Sequence, residues 1–295
     1  MILPQILDLA ITGTQYDRLF YGATMKSDKY LKRGFWMMNP NRDQYDPRPA
    51  KLKYLIVSQP RTGSTLLGML LEANGIGIPQ EYLSGQNISA YCALHKITDF
   101  EKDAYLDHLF DNRKSPDGTF GMKVHIEQLP GFLSNDDSRD LDERIGEFIG
   151  RFDVVVFINR RNKLAQATSH WLGLRSGDWV SIEKKRKSDM FVTLTEQNFV
   201  EILKLFPRYI TQDLQMRNLY RLTKADKLQL WYEDMLADKE DTVKKLAALF
   251  DMPDLKWRET TKVMRNNVNE DLEFQILNRL LGDIDADKIF PLLDR

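Results

Sequence analysis

The sequence predicts an α/β fold, a three-layer domain with a central parallel sheet covered by helices on both faces. Two short runs, Tyr54–Val57 and Val154–Ile158, are apolar without polar alternation, as strands buried on both faces are. They belong to a chain in which strand patterns alternate with helical ones, the order that builds a covered parallel sheet. With 295 residues, 42% of them hydrophobic and 29% charged, the chain is long enough for a large packed core and has an ordinary globular composition.

Residues 1–50 carry Tyr16, Phe20, Tyr21, Phe35 and Trp36 and end in the polar, proline-containing stretch Asn39–Pro49, so they read as an appended arm with a linker. The remaining residues, 51–295, form the α/β domain. Its first strand is Tyr54–Ser58, broken by Gln59-Pro60-Arg61-Thr62-Gly63. Leucines and Met69 then recur at helical spacing over Ser64–Asn74 until Gly75 and Gly77 stop them. Further strands are expected at Thr119–Ile126, Asp153–Asn159 and Lys227–Tyr232. A helix follows Arg160 and Arg161 as far as Leu172, and one or two more span Phe191–Leu222 with an interruption around Pro207. Asp238–Phe250 places Val243, Leu246, Ala247 and Phe250 on one helical face. There is no internal repeat and no low-complexity segment.

Several function classes are excluded or disfavoured. The 42 basic and 43 acidic side chains nearly cancel, so nucleic acid is not an expected partner and any anion site must be built locally. No stretch approaches the roughly 20 apolar residues of a membrane helix. Met1–Gly13 lacks a basic start and is interrupted by Pro4 and Asp8, unlike a secretory leader. The single cysteine, Cys92, suits a reducing compartment, and a cytoplasmic protein is expected. Four histidines and one cysteine show no zinc-like spacing and there is no calcium-type acidic loop, so no metal is expected.

The loop between the first strand and its helix is where chemistry is expected. A glycine-containing turn there directs backbone N–H groups and the positive helix end at an anion, the device of a P-loop-type domain. In a nucleoside-triphosphate loop a lysine and then a hydroxyl residue follow the glycine. Here Gly63 is followed by Ser64 and Thr65, and Arg61 in mid-loop is the replacement cation. A phosphate-like group with different chemistry is implied, held by Arg61, Thr62, Gly63, Ser64 and Thr65.

The Pro-Arg-Thr-Gly-Ser-Thr stretch resembles the 5′-phosphosulfate loop of sulfotransferases that use 3′-phosphoadenosine 5′-phosphosulfate (PAPS). Its continuation through Leu66-Leu67 to Pro79-Gln80-Glu81-Tyr82 is similar to the bacterial trehalose 2-sulfotransferase and nodulation-factor sulfotransferase family. A second segment, Arg160-Arg161-Asn162 to Ser169-His170-Trp171, resembles the family's 3′-phosphate segment, an arginine after a strand and a serine nine residues later. That implies Arg160 and Ser169 as ligands of the 3′-phosphate. One departure is that the family's Arg-x-Asp is Arg160-Arg161-Asn162 here. Trp171 and Trp179, eight apart, continue the likeness, although core packing explains tryptophans equally well. Gly121-Met122-Lys123 resembles the family's Gly-x-Lys strand, and Tyr232-Glu233-Asp234-Met235 and Met264-Arg265-Asn266-Asn267 are fainter echoes.

The resemblance implies transfer of a sulfuryl group from PAPS to a hydroxyl of a carbohydrate or glycolipid acceptor, by in-line displacement. Arg61, Lys123 and the loop amides would stabilise charge on the leaving group. An acceptor hydroxyl needs a general base. The family's Pro-Gln-Glu-aromatic motif makes Glu81 that base, with His125 and His170 as alternatives. Lys184-Lys185-Arg186-Lys187 could meet an anionic acceptor or form a solvated face. Two other readings stay open: a nucleotide or sugar kinase, which Ser64 in the lysine position disfavours, and a non-catalytic nucleotide-binding protein. The aromatic arm could complete a homodimer interface or pack on its own domain.

Overall fold

The computed structural model describes residues 34–43, 48–133, 140–176, 194–258 and 267–281. Four strands, β1 (Leu52–Ser58), β2 (Thr119–His125), β3 (Val154–Asn159) and β4 (Asp226–Trp231), form one sheet in the order β2-β1-β3-β4. These four strands pair in parallel: Tyr54 faces Gly121 on one side and Val154 on the other, and Val156 faces Leu228. The chain steps from β1 to β2 on one side, then crosses to β3 and β4 on the other. The crevice at the carboxyl ends of β1 and β3 is therefore the point where the winding reverses, where open α/β sheets bind ligands.

Alternation along each strand separates two cores. Leu55, Val57, Val155, Phe157, Phe120, Met122 and Val124 point into one, and Tyr54, Ile56, Val154, Val156, Ile158 and Leu230 into the other. Helix α1 (Ser64–Ala73) covers the second core with Leu66, Leu67, Leu70 and Leu71. Helices α2 (Gly85–His95) and α3 (Lys102–Asn112) cover the first through Tyr91, Tyr105, Leu106 and Leu109. Each fully buried leucine contributes roughly 1.5–3 kcal/mol relative to exposure. Two short helices, α4 (Gln128–Leu133) and α5 (Leu141–Ile149), add Leu129, Ile145, Phe148 and Ile149 to that face.

Helix α6 (Lys163–Ser176) follows β3 and packs with α7 (Glu196–Leu203), α8 (Leu205–Leu222) and α11 (Asn267–Leu281) around Trp171, Ile202, Tyr209 and Ile276. Helices α9 (Tyr232–Ala237) and α10 (Lys239–Phe250) complete the second face with Met235, Leu246 and Phe250. The break within the 191–222 region falls at Lys204, between α7 and α8. Pro207 lies in the first turn of α8, where its missing N–H costs nothing.

The expected strands differ from these only at their ends, whereas α2 to α5, α9 and α11 lie where no helix was expected. Residues 34–43, within the stretch read as an arm, pack on the domain. Met38 joins the first core, and Arg113 donates to the Met37 and Asn39 carbonyls at 2.7 and 3.1 Å. Trp179, Lys184–Lys187 and Met264–Asn266 lie outside the described residues.

Candidate active site

The loop after β1 is shaped by two positive-φ residues, Arg61 at 65° and Gly63 at 81°. At Gly63 both conformation and space require glycine: a Cβ would lie 2.5 Å from Cδ2 of Tyr232. The Thr62 hydroxyl is buried and donates to the Gln59 carbonyl at 2.9 Å, which tightens the turn. Ser64 is buried at the start of α1, and Thr65 beside it accepts from Lys123 of β2.

Beneath the loop lies a polar network. The Gln59 amide donates to Asp213 Oδ1 at 2.7 Å, and its oxygen accepts from Gln166 Nε2 at 2.9 Å. Gln166 Nε2 also donates to the Pro60 carbonyl at 2.8 Å, and Lys163 pairs with Asp213 at 2.9 Å. Burial pulls the Lys163 ammonium below its ordinary range against the opposing pull of Asp213. Helices α6 and α8 thereby fix the main chain of the loop.

The two segments expected to hold anions meet. Arg61 Nε donates to Ser169 Oγ at 2.9 Å, and Arg160 Nη1 reaches the Arg61 carbonyl at 3.3 Å. The Arg160 guanidinium lies 4.7 Å from the centre of the Tyr232 ring, and its buried Nε has no hydrogen-bond partner among the described residues. An unsatisfied guanidinium nitrogen at a strand end suits an anion that is still to arrive.

The turn carrying Arg160 is clamped from β4's end. Glu233 accepts from the Arg161 and Asn162 amides at 3.0 Å, and Arg161 makes a two-pronged pair with Asp234 at 2.6 and 2.7 Å. Asn162, where the family has aspartate, caps α6 by accepting from the Ala165 amide at 2.9 Å. The faint Tyr232–Met235 echo is thus a supporting element, with Tyr232 beneath Arg160 and Glu233 behind it.

A second cluster forms on the β2 side. The Pro79–Tyr82 segment runs beside β2 through a parallel bridge of Gln80 with Met122, and Lys123 N donates to the Gln80 carbonyl at 3.0 Å. Asn87 Nδ2 donates to the Glu81 carbonyl at 2.8 Å, and Tyr105 OH to that of Tyr82 at 2.8 Å, so the segment is pinned from α2 and α3. On β2, Gly121 leaves room for the neighbouring Tyr54, since a Cβ there would lie 2.4 Å from that ring. Glu81 Oε1 then sits 2.8 Å from Lys123 Nζ and 3.5 Å from His125 Nε2. Lys123 also donates to Thr65 Oγ1 at 2.9 Å, which ties the cluster to the loop. Burial favours the neutral acid, but the charges and hydrogen bonds of Lys123 and His125 outweigh it and hold the Glu81 carboxyl well below its ordinary range.

Beside these residues lies a group to which no motif points. Glu127, just after β2, accepts from Arg208 at 2.5 Å and Gln212 at 2.8 Å. Burial opposes its ionisation, yet Arg208 above all holds it at about 2. His170 lies 2.5 Å from the Tyr209 hydroxyl, and burial, with Arg208, lowers its ring to about 3. At neutral pH His170 is therefore an uncharged, buried ring. His95 and His108 sit apart, packed with Tyr91.

Two solved structures share a likeness: a sulfotransferase from Alicyclobacillus acidocaldarius and the sulfotransferase domain from the Synechococcus PCC 7002 olefin synthase. Each is 15% identical, with TM-scores of 0.42 and 0.39, covering 81% and 82% of this chain and 98% and 99% of those. A trehalose 2-sulfotransferase from Mycolicibacterium smegmatis (strain ATCC 700084 / mc(2)155) is 27% identical over 158 residues, a match taking in 43% of this chain and spanning 58% of that protein's length. The family model described as Stf0 sulphotransferase matches residues 53–273, which include both segments that meet at Arg61 and Ser169 and the Glu81–Lys123 pair. The chain belongs to the Stf0 sulphotransferase family.

Proposed function

We propose that the protein transfers a sulfuryl group from PAPS to a hydroxyl of a carbohydrate or glycolipid. The observation that carries this reading is the Arg61–Ser169 contact, which joins two anion-directed strand ends at the point where the sheet's winding reverses. A nucleotide phosphorylated on both sides of its ribose needs two such cradles side by side. The Nε of Arg160, without a partner among the described residues, and the glycine-only turn at Gly63 fit that demand. The match to a protein whose name specifies trehalose favours a carbohydrate acceptor.

In this reading PAPS supplies the sulfuryl group. Arg160 and Ser169 hold the 3′-phosphate side, and Arg61, bonded to Ser169, reaches from the loop that serves the 5′ side and the leaving group. The loop amides of residues 62–65, at the positive end of α1, face the 5′ side. Lys123, 6% exposed and anchored on Thr65, places an ammonium where charge develops on the departing oxygen. Glu81 is ionised and accepts the proton of the acceptor hydroxyl. Its low proton affinity in the Lys123 pair rises as the ammonium turns towards the leaving group, which improves the base as the reaction needs it.

The test is transfer of radiolabelled sulfate from PAPS to a panel beginning with trehalose, glucose and a glycolipid extract. Wild type yields a sulfated product, and Glu81→Gln lowers turnover by about 10²–10⁴-fold with nucleotide binding intact. Turnover of magnesium ATP in place of PAPS, or full transfer by Glu81→Gln, contradicts the reading.

A further inference from the structure

The ring of His125 is held at both nitrogens. Its Nδ1 lies 2.9 Å from the hydroxyl of Ser58, the fully buried last residue of β1, and its Nε2 faces Glu81 Oε1 at 3.5 Å. The Ser58 hydroxyl reaches the Val124 carbonyl at 3.2 Å or His125 Nδ1 at the shorter distance. When it donates to Nδ1, the ring carries its proton on Nε2 and presents an N–H to the carboxylate. This pairing of strand ends β1 and β2 is local geometry: Ser58 and His125 are register partners in the sheet.

Glu81 uses one oxygen for both neighbours. Lys123 Nζ and His125 Nε2 both approach Oε1, and among the described residues no group bonds to Oε2. The two partners are not equivalent, since Lys123 is shared with Thr65 of the anion loop. An ammonium drawn to the donor must loosen its hold on Glu81. His125, tied back to Ser58, has no such second demand.

We propose that His125, oriented by Ser58, is the positioning residue of the base: it holds Glu81 Oε1 so that Oε2 faces the acceptor hydroxyl, and it keeps that hold while Lys123 serves the leaving group. This rests on the sulfuryl-transfer reading above. In the step it serves, the acceptor O–H bond breaks and its proton passes to Glu81 Oε2. The acceptor oxygen forms a bond to sulfur. The bond from sulfur to the phosphate oxygen breaks, and its electron pair leaves on that oxygen of 3′-phosphoadenosine 5′-phosphate.

Other charged groups around the ring bear on any pH effect. Lys123 lies on the same strand, Glu81 comes from the adjoining segment, Glu127 follows β2 with Arg208 of α8 paired to it, and His170 approaches from α6. Removing the ring leaves all of these in place but takes one stabilising partner from the Glu81 carboxylate. The carboxyl then protonates at higher pH, and the acidic limb of the kcat profile moves upward.

The experiment compares wild type, His125→Ala, His125→Gln and Glu81→Gln, using PAPS and whichever panel sugar turns over fastest, with release of 3′-phosphoadenosine 5′-phosphate as the readout. His125→Ala is expected to lose about 10- to 100-fold in kcat, the scale of a misplaced reacting group, with the PAPS KM within about twofold. Its acidic limb shifts upward, and His125→Gln, whose amide can still donate to Oε1, recovers most of the loss. Wild-type kcat and an unmoved limb in His125→Ala overturn the proposal. So does a loss that the glutamine does not recover and that comes with lost nucleotide binding. Glu81→Gln separates the failures: if it is fully active the base assignment falls, whereas if it is inactive and His125→Ala is normal only the positioning role falls.

Discussion

Substituting Gly63 by alanine tests the link between the loop and the arginine that follows β3. The residue sits at φ 81° and ψ 9°, a left-handed conformation that costs an L-residue about 1–2 kcal/mol. The added Cβ would meet Tyr232 Cδ2 at 2.5 Å and Cε2 at 3.0 Å, with Met235 Cε at 3.2 Å. Moving a packed ring aside costs about 1–3 kcal/mol more. The sum, centred at about 3.5 kcal/mol, lowers the melting temperature by about 7–14 °C at the scale of a domain this large. Since Tyr232 lies beneath Arg160, displacing its ring also moves the guanidinium and weakens nucleotide binding. Calorimetry on Gly63→Ala, Tyr232→Ala and the double variant checks the argument. The steric part vanishes when the ring is gone, so the double variant is more stable than additivity predicts, by about 1–3 kcal/mol. A Gly63→Ala protein within about 0.5 kcal/mol of wild type, or an additive cycle, refutes the reasoning.

Other perturbations have equally definite outcomes. Arg160→Ala removes a charged donor and should weaken 3′-phosphoadenosine 5′-phosphate binding by about 1.5–3 kcal/mol, roughly 10- to 150-fold by calorimetric titration, while AMP, without the 3′-phosphate, changes little. Asp213→Ala leaves Lys163 and the Gln59 amide without their shared acceptor; it should cost about 2–4 kcal/mol in denaturant unfolding and loosen the loop beneath Pro60. Acid sensitivity follows from Glu127 and His170. Both are lowered in the folded protein, to about 2 from 4.5 and to about 3 from 6.5. In each case the unfolded chain binds protons more tightly, so stability present above the unfolded value is lost as pH falls. The His170 contribution fades from about pH 6.5 downward and that of Glu127 from about pH 4.5, so urea titrations should show His170→Asn flattening the upper part of the fall.

The strands were legible because they are buried on both faces, which leaves uninterrupted apolar runs such as Val154–Ile158. Helix α2 was not, since its buried side includes Asn87, a polar residue held by the Glu81 carbonyl, and the apolar period is broken there. Helix α5 is different: Leu141, Ile145, Phe148 and Ile149 have plain helical spacing. At the candidate site, the local motifs carried Arg61, Ser169, Glu81 and Lys123. Their pairing did not follow from them, because Arg61 and Ser169 are 108 residues apart in sequence and meet through the sheet order. Glu127, Arg208, Gln212 and Asp213 have no motif at all. Their roles come from α8 lying against the strand ends, a tertiary contact that local spacing does not encode.

The most direct test of the central claim is the melting temperature of the full chain with 3′-phosphoadenosine 5′-phosphate, against AMP and against ATP with magnesium. A ligand at a hundredfold excess over its dissociation constant stabilises the fold by about 2.7 kcal/mol, a shift of several degrees. The account predicts that shift with the 3′-phosphorylated nucleotide and its loss in Arg160→Ala. A shift with magnesium ATP alone, or with no nucleotide at all, contradicts it.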